Sequence, residues 1–252
     1  RTANTEPVRL MIQGLPGAGK TEVIKWLCRL FDECFGYAHG VHYVCVASQN
    51  TMAAFIHGFT IHSFGSVPVT ELQRHQWRGA SWKKPDASPL FDRYQSLRWI
   101  LMDETSTTGA ETLSYFESNV AKSIRDTRSW KFKDKRQHNQ RPFGGLNLLY
   151  FVDWWQLPPV QQTSLFSNPF AKRSDFIQKP MKLFWSKGDV DSLTGMFELA
   201  KNYRNSLDPW FAAFLRECRE GRQSWTMYCF LHGLPTRVAG SWMPGSCFSQ
   251  TS

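Results

Sequence analysis

Four short apolar runs lie within the first 152 residues, and each is followed by a polar or helix-compatible segment. A run of this length predicts a buried strand, and the longer segments between the runs have helical length and spacing. We expect strands over residues 8–13, 42–47, 97–102 and 146–152, and helices over residues 21–31, 51–57 and 110–124. Strands alternating with helices predict an α/β fold with a doubly wound, mostly parallel sheet, which binds ligands at the carboxyl ends of its strands.

The pattern changes near residue 189, where a helical region begins. Its clearest predicted helix covers residues 209–221, and beyond residue 235 the chain becomes rich in Gly, Ser and Pro. We therefore predict a first domain over residues 1–188. The helical start of a second, truncated domain with a poorly structured tail is predicted over residues 189–252.

Composition narrows the class of protein. The 252 residues are 42% hydrophobic and 20% charged, which is ordinary for a soluble globular protein. No apolar run approaches the roughly 18–20 residues of a membrane span, so no membrane partner is expected. The chain opens at Arg1, and its first residues predict no secretory leader. Because open reading frames normally begin with Met, we expect a fragment or a processed chain.

The chain is strongly basic. Thirty Lys and Arg residues against twenty-one Asp and Glu residues give a net charge of +9, which favours polyanionic partners, nucleic acid first among them. The alternative is a generically basic protein without such a partner. Residues 128–141 carry six of the basic residues and a single acid. They predict an exposed loop that is either ordinary solvated surface or a contact to DNA phosphates.

Cysteine usage indicates reduced thiols. None of the six cysteines forms a CxxC pair, and no Cys/His cluster has the spacing of zinc ligands. An intracellular protein with free thiols is the simpler interpretation, and we expect no metal site built from side chains alone.

The sequence GLPGAGKT, residues 14–21, matches G-x-x-x-x-G-K-[ST] between a predicted strand and a predicted helix. The glycines let backbone N–H groups surround phosphate oxygens, and the helix N-terminus adds positive potential. Lys20 is expected to reach the β- and γ-phosphates of ATP, while the Thr21 hydroxyl binds Mg²⁺. A simple Gly-rich turn is the alternative. The predicted nucleotide-binding residues are Gly14, Gly17, Ala18, Gly19, Lys20 and Thr21.

Two adjacent carboxylates, Asp103 and Glu104, follow the apolar run at residues 97–102. Hydrolysis of a phosphoanhydride needs one acid that holds Mg²⁺ and one that orients or deprotonates the attacking water. We predict that Asp103 is the metal acid and Glu104 the catalytic base. Taken alone, the pair is also typical of a helix start at which Asp103 would be the cap.

Another polar residue, Gln156, follows the apolar run at residues 146–152, and Pro158 and Pro159 come directly after it. The amide of Gln156 could hydrogen-bond the γ-phosphate and report its presence, while the prolines stiffen the loop. An ordinary strand followed by a Pro-Pro turn explains the same residues, and both interpretations stay open.

Five blocks together resemble the Pif/RecD-like group of superfamily-one DNA helicases. In chain order they are GLPGAGKT, AAFIHGFTIHSF at 53–64, WILMDETS at 99–106, PFGGLNLLYFVDWWQLPPV at 142–160 and LAKNYRN at 199–205. The resemblance covers roughly residues 8–222. It implies a RecA-like P-loop ATPase as the first motor lobe, ATP and Mg²⁺ as cofactors, and single-stranded DNA and DNA junctions as partners, with no obligate protein partner.

The resemblance also implies roles for single residues. Gln156 becomes the γ-phosphate sensor, Arg204 an arginine finger that acts from the second lobe, and Tyr203 a ring that stacks on adenine. His62, Ser63 and Phe64 become DNA contacts. Their ordinary alternatives are a core or surface histidine at His62, a core aromatic at Phe64 and a surface arginine at Arg204. Repair, recombination or telomere maintenance, in the nucleus of a eukaryote, is the implied setting.

The chain departs from the family pattern at several places. Val152 stands where the family has Gly, and residues 48–51 differ from the sequence that the family usually has there. The adenine-reading Gln element is absent upstream, and the later helicase blocks are absent after Arg222. We expect an ATP-dependent DNA helicase present as an incomplete chain. The alternatives are a degenerate remnant that binds nucleotide or DNA without turnover, and a small-molecule P-loop kinase.

Overall fold

The computed structural model describes residues 6–68, 94–125, 141–168, 171, 174–186 and 191–232. Within these ranges six strands form one sheet in the order β3-β2-β4-β5-β1-β6, and every pair of neighbours is parallel. The strands are β1 (Arg9–Gly14), β2 (Tyr43–Ala47), β3 (Phe59–Thr60), β4 (Trp99–Asp103), β5 (Asn147–Val152) and β6 (Gly195–Leu199). The predicted parallel α/β fold is confirmed, and β1, β2, β4 and β5 are the four predicted strands.

Helices connect the strands. They are α1 (Lys20–Arg29), α2 (Asn50–Phe55), α3 (Ile61–Gly65), α4 (Ala110–Arg125), α5 (Asp175–Trp185), α6 (Pro209–Glu220) and α7 (Trp225–Leu231). A π-helical turn, Leu30–Cys34, continues α1. The predicted helices correspond to α1, α2, α4 and α6, whereas β3, α3, α5, β6 and α7 were not predicted.

Local signals explain the ends of α6. The Asp208 carboxylate accepts a hydrogen bond from the Phe211 amide at 2.9 Å, which caps a first turn that begins with Pro209. Gly221 ends the helix with φ +66°, a conformation that glycine adopts without steric cost. The helix after it is capped in the same manner, since Ser224 accepts from the Met227 amide.

Alternation along the strands produces two apolar layers, one on each face of the sheet. Val44, Ile100 and Tyr150 belong to the layer that also contains residues of α3, α4 and α5. Their strand neighbours Cys45 and Leu101 belong to the other layer, together with residues of α1 and α2. Because both faces are covered, β2 and β5 are buried at every position and appear in the sequence as continuous apolar runs.

The edge strand β6 lies beyond the predicted domain boundary. Its residues are exposed or half-buried, yet they pair in register with β1, Leu10 opposite Gly195 and Gly14 opposite Leu199. The chain forms two compact units: Arg1–Gly14 with Lys20–Leu199, and Leu15–Gly19 with Ala200–Ser252. A division between motor lobes at residue 188 stays a prediction, but the sheet itself continues to Leu199.

Some predicted features lie outside the described residues. These are residues 128–140 of the basic loop and residues 233–252 of the tail. Arg141, the last residue of that basic segment, is buried, and its guanidinium lies 3.7 Å from the Glu6 carboxylate. Among the described helices, none is long and apolar enough to cross a membrane.

Gly65 at the end of α3 is a position where side-chain volume is expected to cost stability. A Cβ there would lie 2.3 Å from Cδ2 of Phe116, a fully buried ring of α4. We expect Gly65→Ala to lower the free energy of unfolding in urea by about 1–3 kcal/mol, because the ring must move within a packed core. In the control variant Gly195→Ala, the nearest atom is the end of the Leu10 side chain at 3.0 Å. A change within about 0.5 kcal/mol is expected there, and equal losses in both variants would contradict the prediction.

Candidate active site

Lys20 begins α1 directly after the glycine loop. Its side chain is only 7% exposed, and Nζ donates a hydrogen bond of 2.7 Å to the carbonyl oxygen of Gly14, the last residue of β1. The ammonium group is therefore held at the carboxyl end of β1 by a neutral acceptor. Thr21 follows it in the first turn and is half-buried. A buried cation at the carboxyl end of a strand suits an anionic ligand.

Asp103 ends β4 and is 4% exposed. Burial raises the pKa of its carboxyl, whereas a hydrogen bond from the Glu104 amide, 3.0 Å from Oδ1, and the Lys20 charge lower it. Burial also raises the pKa of the Glu104 carboxyl, and Asp103 raises it further, while Lys20 and a hydrogen bond with Gln156 lower it. Both acids therefore lie in a poorly solvated place that favours a cation nearby.

The backbone of Glu104 is left-handed, with φ +49° and ψ +40°. A non-glycine residue adopts this conformation at a cost of about 1–2 kcal/mol, and such residues concentrate at functional sites. The Glu104 carbonyl accepts from the Thr107 amide at 3.1 Å and from its hydroxyl at 2.9 Å. The same hydroxyl lies 2.7 Å from that of Ser48, beyond β2. Thr107 and Ser48 thus hold the acid in place, a role that no sequence signal indicated.

The loop after β5 brings Gln156 to the acid pair. Asp153 is fully buried, its carbonyl accepts from the Gln156 amide at 3.2 Å, and its carboxylate accepts from the Trp155 amide. This tight turn carries the Gln156 side chain to Glu104, with which it hydrogen-bonds. Four predicted residues, Lys20, Asp103, Glu104 and Gln156, therefore meet at the carboxyl ends of β1, β4 and β5. Val152, where the family pattern has Gly, is fully buried in the core.

The tip of the glycine loop belongs to the second compact unit, where the segment after β6 packs on it. The Gly17 carbonyl accepts a hydrogen bond of 2.8 Å from the Tyr203 amide. With φ +83°, a Cβ at Gly17 would lie 2.5 Å from Cβ of Arg204 and 2.8 Å from Oδ1 of Asn202. The loop therefore requires glycine here for its backbone angle and for this close packing. Sequence spacing did not predict that contact.

Arg204 and Tyr203 are both exposed beside the loop tip. The Tyr203 ring is 59% exposed and carries the Lys201 ammonium 4.8 Å from its centroid. An exposed ring with a cation over it remains able to pack against a planar base. The stacking role of Tyr203 and the finger role of Arg204 stay predictions.

The three predicted DNA contacts of α3 differ in exposure. Ser63 is exposed, His62 is half-buried with Nδ1 3.2 Å from the Val67 carbonyl, and Thr60 caps the helix by accepting from the Ser63 amide. Phe64 is a correction: its ring is 2% exposed and packs edge-on against Tyr94. A ring enclosed in the core cannot stack on a base, so Phe64 is a core aromatic that orients α3.

The residues fit a magnesium ion held jointly with a nucleotide. Glu104 Oε2 is buried without a hydrogen-bond partner, and burial raises the pKa values of both acids. Among the described residues no group of three or more His, Cys, Asp or Glu could hold a metal ion by itself. Thr21 and Asp103 would supply two oxygens, and Mg²⁺ is commonly bound by one or two protein groups with substrate phosphates and water.

A separate cavity of about 280 Å³ lies between α4 and α5. Glu117, Phe143, Lys179 and Leu183 are among its lining residues, and none of the predicted site residues borders it. The predicted site residues therefore lie at the strand ends rather than in this cavity.

Comparison with known proteins identifies the family. The model of the PIF1-like helicase family matches residues 1–223. ATP-dependent DNA helicase PIF6 of Trypanosoma brucei brucei is 27% identical over 90% of this chain and 27% of its own length. ATP-dependent DNA helicase PIF1 of Saccharomyces cerevisiae is 26% identical over 70% of this chain and 19% of its own length. The chain thus spans about a quarter of these relatives or less.

Solved structures show the same fold. The Pif1 helicase of Candida albicans superposes with a TM-score of 0.64 at 20% identity, over 90% of this chain and 44% of that one. The Bacteroides Pif1 helicase in complex with ADP-AlF3 and ssDNA gives a TM-score of 0.58 at 18% identity, over 94% of this chain and 48% of that one. The sheet, the glycine loop and the family match lead to one conclusion: the chain belongs to the PIF1-like helicase family.

Proposed function

We propose that this chain is the first motor lobe, with the beginning of the second, of an ATP-dependent DNA helicase. One observation carries the proposal: Lys20, Asp103, Glu104 and Gln156 converge where three parallel strands end. Ligands of open parallel sheets bind at such ends. The related helicases from T. brucei and yeast are named as ATP-dependent DNA helicases, which supports the same activity here.

The residues divide the work of phosphoanhydride hydrolysis. The glycine loop and Lys20 bind and orient the phosphates, Glu104 accepts a proton from the attacking water, and Gln156 aligns that water or the γ-phosphate. Thr21 and Asp103 would hold Mg²⁺, which when bound neutralises charge on the phosphate oxygens. The left-handed backbone of Glu104 and its hydrogen bonds to Thr107 keep the base in place before substrate arrives.

Single-stranded DNA is the proposed polymer. The net charge of +9 favours a polyanion, and Ser63 and His62 offer accessible polar groups on α3 that can meet phosphates. The Bacteroides relative is described as bound to ssDNA. DNA junctions, a setting in repair, recombination or telomere maintenance, and a nuclear location in a eukaryote extend the same proposal.

Turnover separates this function from a remnant that only binds. ATP hydrolysis by the chain should rise when single-stranded DNA is added, because a helicase couples the two ligands. Steady-state phosphate release with and without an oligothymidylate measures this. If the chain binds ATP but shows no DNA-stimulated hydrolysis, the non-catalytic remnant is favoured. If calorimetry detects no ATP binding, both the helicase and the remnant hypotheses are wrong.

Arg204 provides a further prediction. It lies beside Gly17 in the second unit, and the proposed role of its guanidinium is to stabilise charge that builds on a transferring phosphoryl group. We expect Arg204→Ala to reduce kcat for ATP hydrolysis by roughly 10–100-fold, the loss of one charge-assisted contact, with a smaller change in ATP affinity. Arg222→Ala removes an exposed arginine of the same unit and should leave both unchanged. Equal losses of kcat and affinity in Arg204→Ala would refute a finger role.

A further inference from the structure

Two thiols from different elements lie in contact in the apolar layer between the sheet and α1. Sγ of Cys28, on α1, is 3.5 Å from Sγ of Cys45, on β2. A disulfide needs about 2.05 Å between the sulfurs, so the two sulfurs must approach by about 1.5 Å to bond. The pair takes no part in the nucleotide chemistry described above.

The two thiols differ in solvent exposure and in pKa, as oxidation of one by way of the other requires. Cys28 is half-buried and reachable from solvent, whereas Cys45 is completely buried. A hydrogen bond from Cys45 lowers the pKa of Cys28, helped by one from Tyr43 and opposed by burial and by Asp32. The same hydrogen bond, together with burial, raises the pKa of Cys45. Cys28 is thus the more nucleophilic thiol, and Cys45 is a protonated neighbour.

We propose that Cys28 and Cys45 form a reversible intramolecular disulfide when the protein meets a hydroperoxide. The Cys28 thiolate attacks one peroxide oxygen, the O–O bond breaks, and Cys28 becomes a sulfenic acid as water leaves. The Cys45 sulfur then attacks the Cys28 sulfur, its proton leaves with the hydroxyl as a second water, and the S–S bond forms. Two thiols and one hydrogen peroxide thus yield one disulfide and two waters, and a dithiol restores the reduced pair.

The bond would join α1 to β2, which packs beside the sheet's centre. Because α1 begins at Lys20, the oxidised form ties the helix behind the glycine loop to the sheet. The cross-link also closes the intervening loop in the unfolded chain, which disfavours unfolding. Oxidation should therefore raise the thermal midpoint of the chain, and reduction should reverse the shift.

Peptide mapping tests the proposal directly. The reduced chain is treated with limiting hydrogen peroxide, blocked with N-ethylmaleimide in denaturant and digested without reductant. The expected product is a peptide pair linked through Cys28 and Cys45, lighter than its separate thiol peptides by two hydrogen atoms and absent after dithiothreitol. Recovery of both cysteines as maleimide adducts while exposed thiols oxidise, or over-oxidation of Cys28 beside an intact Cys45 thiol, would overturn it.

Variants separate the roles of the two thiols. Cys45→Ala should leave a sulfenic acid on Cys28 that reacts with dimedone several-fold more than in the parent chain, whereas Cys28→Ala should leave Cys45 unmodified. Cys34→Ala, at an exposed cysteine of the following π-helical turn, should retain the Cys28–Cys45 link in full. Loss of the link in Cys34→Ala would contradict the pairing. If the Cys45 variant folds poorly, peptide mapping of the parent chain still shows whether Cys28 and Cys45 form the disulfide.

Discussion

Glu104→Gln is expected to slow ATP hydrolysis by about 10²–10⁴-fold, the usual contribution of a positioned general base. The amide keeps the size of the side chain and its contact with Gln156, but it cannot accept a proton from water. Stopped-time assays of phosphate release measure the loss. Since the base acts as a carboxylate and burial raises its pKa, hydrolysis by the parent chain should also fall as pH is lowered through that pKa.

ATP binding is the control for this variant. Removal of one negative charge from a buried acid pair should leave ATP affinity unchanged or slightly higher, because Asp103 then repels the phosphates alone. Glu22→Gln makes the same chemical change at an exposed position of α1 and should have normal turnover. Normal turnover in Glu104→Gln would show that another group activates the water.

Lys20→Ala is expected to reduce hydrolysis below detection and to weaken ATP binding by roughly 10–100-fold. The buried ammonium is the cation that faces Asp103 and Glu104, and one lost charge-assisted hydrogen bond costs about 1.5–3 kcal/mol. Calorimetry with a non-hydrolysable ATP analogue measures the affinity, and phosphate release measures turnover.

The matched control is Lys25→Ala, which removes an exposed lysine of the same helix paired with Glu22. It should bind and hydrolyse ATP normally. Lys20 also donates to Gly14, so urea unfolding of the Lys20 variant shows whether the loop end is merely loosened. Unchanged ATP affinity in a folded Lys20→Ala chain would remove the glycine loop from the proposed site.

The sequence predicted those parts of the fold whose burial is uniform. Strands covered on both faces appear as apolar runs, which is why β2, β4 and β5 could be located. The edge strand β6 has exposed residues and no such run, and β3 has only two residues. Strand pairing determines both elements, and a single sequence carries no local signal for it.

The candidate site was predictable in its residues but not in its shape. Spacing and polarity identified Lys20, Asp103 and Glu104 as candidates, and the structure brings them close together. The left-handed turn at Glu104 is held by local hydrogen bonds from Thr107. Thr107 in turn contacts the distant Ser48, a contact that no sequence pattern predicts. Phe64 was predicted as a DNA contact but fills the core, because an aromatic residue looks the same in sequence in either role.

The late partners of β1 have a consequence for how the chain is made. This strand comes first along the chain, yet it pairs with residues 148–152 on one side and with residues 195–199 on the other. Because synthesis proceeds from the N-terminus, both partner segments are made after β1. A strand that is unpaired on one edge is prone to aggregate. We therefore expect β1 to become protected from solvent only late in folding, and chains that end before residue 195 to fold poorly.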